Sequence, residues 1–326
     1  MTHQVLCLRP QSDFARVDAL PPSAFAVTYR APSDPDVPAL IKTSQALVIP
    51  AVGAKLPPEW FDTCALKLVQ VTGAGVDRLD QAALTRLKIP VANVAGGSNS
   101  AVAEYVVTTA SLLLRRLAWA DAELKAGNYA KFRANMLADN LSGLAGLLVG
   151  IVGFGTIGRA VAEAFHRFGC RICYFDPAPG DRKLAETMNA QSVSLDDLLS
   201  SADVISLHVP LLPATQNLID DRALARMKKD ALLIQASRGG IVDEAALAAH
   251  LNSGHLGGAA VDVYSTEPPP ADHPLLALTG DAAHRLLLTP HIAGVTRQAS
   301  ALLFRSAWQN VARVLIDNQP PLNRVY

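Results

Sequence analysis

Three glycines spaced as G-x-G-x-x-G constrain the fold of this chain more than any other feature: Gly153, Gly155 and Gly158. They directly follow an apolar run, Leu147–Val152, which has the length and composition of a buried parallel strand. In such a motif the first glycine allows a tight turn and the second lets the backbone approach a pyrophosphate. The third lets the following helix pack closely against the strand.

The residues after the glycines predict a helix and then a second strand. The helix begins near Thr156 and ends at Gly169, and its apolar face consists of Ile157, Val161, Ala164, Phe165 and Phe168. The strand, Arg171–Phe175, ends at Asp176, which follows the third glycine by 18 residues. The N-terminus of the helix can bind phosphates, and an acid at this position can accept hydrogen bonds from an adenosine ribose. Together these parts favour a dinucleotide site over an ordinary strand–turn–helix.

The composition suits a water-soluble enzyme of about two domains. The chain has 326 residues, and half of them are hydrophobic. Lys and Arg total 29, and so do Asp and Glu, so no net charge attracts nucleic acid or an anionic membrane. The start, MTHQVLCLRP, does not have the pattern of a signal peptide, and the longest apolar run, around Leu144–Phe154, is too short to span a bilayer. We therefore expect a cytoplasmic protein that binds neither nucleic acid nor membrane.

Two of the four cysteines form a C-x-x-C pair, Cys170 and Cys173. The pair lies along the second strand of the nucleotide unit, where alternation points the two side chains to opposite faces. A thioredoxin-like redox motif would instead open a helix. We therefore expect reduced, buried thiols rather than a disulfide, and no metal site.

The first hundred residues predict a small α/β unit with four short strands: Gln4–Leu8, Ala46–Pro50, Leu66–Thr72 and Pro90–Val94. At the end of the third strand, Gly73 and Gly75 flank Ala74 in the loop VTGAGVD. Ligands of open α/β sheets bind beyond the carboxyl ends of the strands, and such a loop leaves backbone N–H groups accessible to an anion. A plain turn explains the same residues equally well.

Two helical segments separate this unit from the glycine motif. Ala101–Leu117 has a wide apolar face that suits an interdomain strut or a subunit interface. Gly127–Asn140 mixes apolar and basic side chains and predicts an exposed arm rather than a core helix.

After the motif, strands and helices continue to alternate. The predicted strands are Val204–Val209, Ala231–Ala236, Gly258–Val263 and Leu286–Thr289, and the predicted helices are Leu195–Ser200, Asp221–Lys228, Asp243–Asn252 and Thr296–Asp317. Arg238, Glu267 and His291 follow three successive strands. Each residue alone is more often structural, but their joint position on the nucleotide edge of the sheet points to a reaction centre.

These motifs together resemble the D-isomer-specific 2-hydroxyacid dehydrogenase family. The matching segments, which run from about Val5 to the closing PLNRV, are VTGAGVD, VANVAGGSNSAVAEYVV, VGIVGFGTIGRAVA, SLHVPLLPATQNLI, QASRGGIVDE, VDVYSTEPPP and TPHIAGVT. The resemblance implies a Rossmann-type doubly wound NAD-binding domain, residues 99–293, inserted into a smaller flavodoxin-like α/β substrate domain, residues 1–98 and 294–326. It also implies a homodimer formed through the NAD-binding domain, and a small 2-keto or 2-hydroxy acid as the substrate.

The resemblance also implies a role for individual residues. By position, Arg238 corresponds to the family's catalytic arginine, Glu267 to its catalytic glutamate and His291 to its acid/base. Ala74 and Gly75 stand where backbone amides hold the substrate carboxylate together with the arginine. The expected cofactor-binding residues, with Asp262 at the nicotinamide carboxamide, are Gly153, Gly155, Thr156, Ile157, Gly158, Asp176, His208, Pro210, Thr215, Ala236, Arg238, Asp262, His291 and Gly294.

The residue types fit the reduction of a 2-keto acid, which needs a hydride on the carbonyl carbon and a proton on its oxygen. His291 can supply the proton, and Glu267 can orient the ring and favour its charged form. Arg238 can clamp the carboxylate and polarise the carbonyl. Gln235 stands where the family usually has Asn, and Tyr129 where Trp is common, so these departures concern substrate detail rather than the reaction centre.

Two other functions stay open. Phosphite oxidation on the same site also uses Arg and His, and some relatives are NAD-sensing corepressors that bind peptides. Formate oxidation needs no proton relay, and Glu267 argues against it. The expected cofactor is NAD rather than NADP, because Asp176 would repel a 2′-phosphate and the next residues, Pro177, Ala178 and Pro179, offer it no donor.

Overall fold

A computed structural model describes residues 2–178 and 182–326, and the chain divides into two compact units. The smaller unit consists of Met1–Ser98 and Val295–Tyr326, and the larger unit is Asn99–Gly294. The larger unit thus interrupts the smaller one in sequence. The boundary expected from the sequence lay one residue earlier, before Gly294.

The first part of the smaller unit contains five strands. Its elements are β1 (His3–Cys7), α1 (Gln11–Ala15), β2 (Phe25–Tyr29), α2 (Val37–Thr43), β3 (Ala46–Ile49), a 3₁₀ turn (Pro58–Phe61), β4 (Leu68–Val71), α3 (Gln81–Arg86) and β5 (Val91–Ala92). All pairings are parallel, and the order β2-β1-β3-β4-β5 is the flavodoxin-like order. The sequence prediction missed β2, an edge strand whose side chains after Phe25 are only half-buried.

The larger unit contains the glycine motif, and the chain then closes with a long helix of the smaller unit. The elements of the larger unit are α4 (Asn99–Leu114), α5 (Leu117–Lys125), α6 (Tyr129–Ala138), β6 (Leu148–Val152), α7 (Thr156–Arg167), β7 (Arg171–Phe175), α8 (Arg182–Thr187), β8 (Gln191–Ser192), α9 (Leu195–Ser201), β9 (Val204–Leu207), α10 (Asp221–Arg226), β10 (Leu232–Gln235), α11 (Glu244–Asn252), β11 (Gly258–Val261), α12 (Gly280–His284) and β12 (Leu286–Leu288). The closing helix is α13 (Arg297–Leu315).

The sheet of the larger unit is parallel, with the strand order β12-β11-β10-β9-β6-β7-β8. The direction of the strand order reverses between β6 and β9. Such a switch point opens a crevice at the carboxyl ends of the two strands, where doubly wound sheets bind ligands. The predicted fold class, a Rossmann-type doubly wound unit and a flavodoxin-like unit, is confirmed.

Several helices begin or end at residues whose side chain or backbone conformation suits a helix cap. Asp243 accepts hydrogen bonds from two backbone N–H groups at the start of α11, and Thr296 accepts one at the start of α13. The chain leaves α7 through Gly169, at φ +79°. Phe168, which the sequence placed on the buried face, is instead 58% exposed. It lies at the C-cap, where the backbone departs from the helix.

Both sheets are covered on two faces. In β1, Leu6 packs into one core cluster, whereas Val5 and Cys7 pack into another, as alternation along a strand requires. Cys173 and Cys170 lie in different clusters in the same way. Burial raises the pKa of both thiols to about 11, so they stay protonated at neutral pH. All four cysteines are free.

Helices α5 and α6 form a hairpin that buries none of its own residues, and α6 lies in the segment Gly127–Asn140 for which an exposed arm was expected. Trp119 anchors it by stacking on His284, with ring centroids 4.6 Å apart. Within residues 2–178 and 182–326, no helix has the length and apolar character needed to cross a membrane, and a cytoplasmic location stays a prediction. The same residues contain no group of three or more His, Cys, Asp or Glu side chains suited to a metal ion.

Candidate active site

The glycine motif forms the turn between β6 and α7, at the switch point of the larger sheet. Gly153 has φ +92°, and a Cβ added there would lie 2.7 Å from the carbonyl oxygen of His208. A Cβ added to Gly158 would lie 2.0 Å from the carbonyl oxygen of Gly153. Both positions therefore require glycine, one for a left-handed turn beside β9 and one for the close approach of helix and strand.

Gly155 differs from these two glycines because it faces open space. A Cβ added there would meet no atom within 4 Å. Gly155 directly precedes α7, where Thr156 and Ile157 begin the helix and the first N–H groups have no intrahelical partner. An uncrowded loop at the positive end of a helix fits the pyrophosphate of NAD.

Asp176 lies at the end of β7 and is tied to the glycine loop. Its Oδ2 accepts a hydrogen bond from the backbone N–H of Phe154 at 2.7 Å, and its Oδ1 accepts one from Ala178 at 2.9 Å. A carboxylate has about four acceptor sites, so capacity remains for ribose hydroxyls. The geometry therefore fits the ribose of NAD. Pro179, one of the positions considered above, lies outside the described residues.

Three of the predicted cofactor residues lie just beyond β9. Nε2 of His208 is 2.8 Å from Oγ of Ser206, and burial lowers the pKa of His208 to about 3, so the ring is neutral at physiological pH. The hydroxyl of Thr215 donates to the carbonyl of Pro210 at 2.6 Å and accepts from the N–H of Leu212 at 2.8 Å. Thr215 therefore closes this loop internally, a structural task that the sequence did not predict.

The turn that carries Arg238 is held by Gln235, the last residue of β10. The buried amide of Gln235 donates to the carbonyl of Arg238 and accepts from the hydroxyl of Ser237, both at 2.7 Å. Nη1 of Arg238 donates to the carbonyl of Ser237 at 2.7 Å. A Cβ added to the next residue, Gly239, would lie 1.8 Å from the carbonyl oxygen of Tyr264. The Arg238 turn therefore packs directly against the loop that follows β11.

That loop carries Glu267 and is anchored by Glu244, the first residue of α11. Glu244 accepts from the N–H of Ser265 at 2.7 Å, from its hydroxyl at 2.5 Å, and from Nε2 of His273 at 3.0 Å. The N–H of Leu275 donates to Nδ1 of His273, so the ring proton of this neutral histidine lies on Nε2. Sequence reasoning missed Glu244, because no local signal indicates that its side chain reaches a loop 21 residues away.

Glu267 pairs with His291, which follows β12. Nδ1 of His291 lies 2.9 Å from Oε2 and 3.1 Å from Oε1 of Glu267, and Oε1 also accepts from the N–H of Tyr264 at 3.1 Å. Because a carboxylate only accepts, Nδ1 carries a proton, and Nε2 is the nitrogen that can exchange one with a substrate. The side chains of His291 and Glu267 are 25% and 29% exposed, so neither is sealed from a ligand.

Asp262 is 1% exposed and holds the turn that contains His291. Its Oδ1 accepts from the N–H of Ile292 and its Oδ2 from that of Ala293, both at 2.8 Å, and its backbone carbonyl accepts from His291 at 2.8 Å. His291 has φ +55°, in the left-handed region that non-glycine residues adopt only when their surroundings hold them there. Asp262 therefore fixes the backbone of the His291 turn. The contact of Asp262 with the nicotinamide carboxamide of NAD stays a prediction.

The smaller unit presents Ala74 and Gly75 beyond the end of β4. The side chain of Asn93 donates to the carbonyl of Ala74 at 2.7 Å, and the N–H of Val94 donates to that of Gly73 at 2.9 Å. The loop is thus anchored through its carbonyl groups. In the larger unit, Ala236 packs against a core cluster and Gly294 is the last residue; their contact with the cofactor stays a prediction.

Comparison with known proteins gives a consistent family. The family model described as D-isomer specific 2-hydroxyacid dehydrogenase, NAD binding domain, matches residues 107–293. The (S)-sulfolactate dehydrogenase of Chromohalobacter salexigens is 39% identical over 251 residues, which are 77% of this chain and 78% of the relative. The D-3-phosphoglycerate dehydrogenase 2 of Arabidopsis thaliana is 33% identical over 270 residues, which are 82% of this chain but 41% of that longer relative.

Among solved structures, the NAD-dependent formate dehydrogenase from Staphylococcus aureus in complex with NAD superposes with a TM-score of 0.82. The two chains are 27% identical, and the match covers 99% of this chain and 98% of the other. The family model covers the glycine loop, the Arg238 turn and the His291–Glu267 pair, which the fold brings to one edge of the larger sheet. The chain belongs to the D-isomer specific 2-hydroxyacid dehydrogenase family and is an NAD-dependent oxidoreductase.

Proposed function

We propose that this chain interconverts a small 2-keto acid and the corresponding D-2-hydroxy acid. The observation that carries the proposal is the His291–Glu267 pair, with Nδ1 2.9 Å from the carboxylate. When bound, NADH supplies a hydride to the carbonyl carbon. Nε2 of His291 gives a proton to the carbonyl oxygen, and in the oxidative direction it takes the hydroxyl proton back.

Glu267 and Arg238 orient the acid/base and bind the substrate, respectively. Glu267 holds the ring through Nδ1, so that Nε2 stays directed away from the carboxylate. The guanidinium of Arg238 clamps the substrate carboxylate and polarises the carbonyl. The smaller unit acts as the substrate domain, where the backbone amides of Ala74 and Gly75 can bind an anion.

The cofactor is held by the glycine loop and by Asp176. The N–H groups at the start of α7 bind the pyrophosphate beside Gly155, and the Asp176 carboxylate accepts from the ribose hydroxyls. The neutral ring of His208 lies just beyond β9, at the same switch point.

The test is a rate measurement with NADH and a panel of 2-keto acids: glyoxylate, hydroxypyruvate, pyruvate, and their phosphorylated and sulfonated analogues. We expect His291→Asn and Arg238→Gln each to lower kcat/KM for the best substrate by roughly 10²–10⁴-fold, because each removes one part of acid catalysis or carbonyl polarisation. NADH binding, followed by fluorescence titration, should survive. His166→Asn, an exposed histidine on α7, is the matched control and should change neither quantity.

Near-normal turnover by His291→Asn would overturn the assignment of the acid/base. Oxidation of phosphite with NAD, without reduction of any keto acid, would favour a phosphite dehydrogenase on the same site. NADH binding with no turnover of any substrate would favour a corepressor-like binding protein.

We also propose a homodimer formed through the larger unit. The α5–α6 hairpin supports this, because it projects four large apolar side chains that are each 47% to 66% exposed: Leu117, Leu124, Tyr129 and Leu137. Apolar side chains clustered on an exposed element mark interaction surfaces. Leu137→Glu should shift the sedimentation coefficient to that of a monomer, whereas Leu20→Glu, at a position of the smaller unit that is 53% exposed, should not. A monomeric wild type would contradict the proposal.

A further inference from the structure

A chain of three side chains links α4 to the turn that carries His291. The hydroxyl of Tyr105 lies 2.7 Å from Oγ1 of Thr289, and Thr289 donates to Oδ1 of Asp262 at 2.6 Å. Tyr105 is half-buried against a core cluster of the larger unit, and Asp262 is 1% exposed. Tyr105 and Thr289 are 184 residues apart in sequence, and neither is among the site residues expected from the sequence.

The chemistry of the three groups sets the direction of every hydrogen bond. The Asp262 carboxylate has no proton to give, so Thr289 must donate to it. A hydroxyl has one proton, so the oxygen of Thr289 can only accept from Tyr105. Burial, together with the charge of Asp262, raises the pKa of Tyr105 to about 12, so this phenol keeps its proton. The series of hydrogen bonds therefore runs from the hydroxyl of Tyr105 through that of Thr289 to the carboxylate of Asp262.

The carboxylate at the end of this chain is the group around which the catalytic turn is wrapped. Its two oxygens receive the N–H groups of Ile292 and Ala293, and the residue between Pro290 and Ile292 is His291, held at φ +55°. A rotation of the Asp262 carboxylate would release those two N–H groups. The hydroxyl of Thr289 is the side-chain donor that opposes such a rotation, and Tyr105 holds that hydroxyl in place.

We propose that Tyr105 is a positioning residue for the reaction, which acts on the His291 turn through Thr289 and Asp262. The inference rests on the acid/base role proposed for His291. Tyr105 exchanges no proton with the substrate. It restricts the imidazole of His291 to the orientations in which Nε2 can reach the carbonyl oxygen of the substrate.

The experiment is a double-mutant cycle on kcat. Tyr105→Phe removes one neutral hydrogen bond and should lower kcat by roughly twofold to tenfold, with the KM for the keto acid unchanged. Thr289→Val removes the donor to a charged group and should lower kcat by roughly tenfold to a hundredfold. Because Tyr105 acts only through Thr289, the double variant should be within about twofold of Thr289→Val. Thr289→Ser keeps the hydroxyl and should restore most of the rate.

Two controls separate this inference from a structural role and from the proposed function. Thr187→Val removes an exposed hydroxyl on α8 that donates to the carbonyl of Leu184, and it should leave kcat unchanged. If Thr289→Val does not fold, the inference is tested by comparing kcat in Tyr105→Phe, which should fall, with kcat in Thr289→Ser, which should stay near the wild-type value. Wild-type kcat in Tyr105→Phe, or multiplicative losses in the double variant, would overturn the inference. If His291→Asn were active, the proposed acid/base role would fail instead.

Discussion

Alanine at Gly155 should abolish tight NADH binding while leaving the fold intact. Gly155 has φ −74° and ψ −162°, a conformation open to alanine, and a Cβ there meets no atom within 4 Å. The cost to the free protein should stay below about 1 kcal/mol, the size of an N-cap effect. The added methyl instead occupies the space proposed for the pyrophosphate. Displacing the phosphates from one charge-assisted hydrogen bond costs about 1.5–3 kcal/mol, or roughly 10- to 100-fold in Kd.

Gly158→Ala, unlike Gly155→Ala, should destabilise the fold of the free protein. Its Cβ would lie 2.0 Å from the carbonyl oxygen of Gly153, so α7 or β6 must move. Overpacking of this kind costs about 1–3 kcal/mol, and for a unit of this size each 1 kcal/mol lowers Tm by about 2–4 °C. Gly143 is exposed, and a Cβ added there would also meet no atom within 4 Å, so Gly143→Ala is the matched control.

The assay combines thermal unfolding of the free proteins with fluorescence titration of NADH. We expect Gly155→Ala to unfold near the wild-type Tm and bind NADH at least tenfold more weakly, a ratio of about 1.4 kcal/mol. Gly143→Ala should match the wild type in both measurements. Wild-type affinity in Gly155→Ala would refute the placement of the pyrophosphate, and an unchanged Tm in Gly158→Ala would refute the close-packing argument.

Three further predictions concern single side chains. Both oxygens of Asp176 already accept hydrogen bonds from backbone N–H groups, so the carboxylate cannot rotate away from the 2′-phosphate of NADPH. Steady-state kinetics should therefore favour NADH over NADPH by at least about tenfold. Equal use of both cofactors would contradict this prediction. Burial lowers the pKa of His208 to about 3, so below pH ~6.5 the unfolded chain binds a proton that the folded chain does not, and stability falls as the pH drops. Between pH 7.5 and 5, chemical denaturation should show the wild type losing up to roughly 2 kcal/mol more than His208→Asn, and equal losses would refute the shift. Glu244→Gln weakens the anchor of the Ser265 backbone and should lower kcat by roughly tenfold with NADH affinity unchanged; wild-type kcat would show that the loop holds without it.

The elements that the sequence predicted well are those whose signals are local. The strand before Gly153, the helix after it and the strand before Asp176 lie within one short segment, and each carries its own pattern of burial or turn chemistry. The edge strand β2 was missed because its half-buried side chains show little alternation. Phe168 was misplaced because periodicity does not reveal where a helix ends.

The candidate site divides in the same way. Arg238, Glu267 and His291 could be named from their positions after successive strands, since the carboxyl ends of parallel strands meet at one edge of a sheet. The residues that hold them could not. Gln235 caps the Arg238 turn, and Glu244 anchors the loop of Glu267; both side chains look like ordinary polar residues in the sequence.

The sequence by itself determined the class of fold and the dinucleotide site and predicted the reacting side chains, because each depends on residues close together in the chain or on strand order. Only the tertiary structure decided that Asp262 supports the His291 turn and that Tyr105 lies at the end of the same hydrogen-bond chain. The physical reason is the directionality of hydrogen bonds. A buried donor must find its acceptor in space, and here the partner of Tyr105 lies 184 residues away.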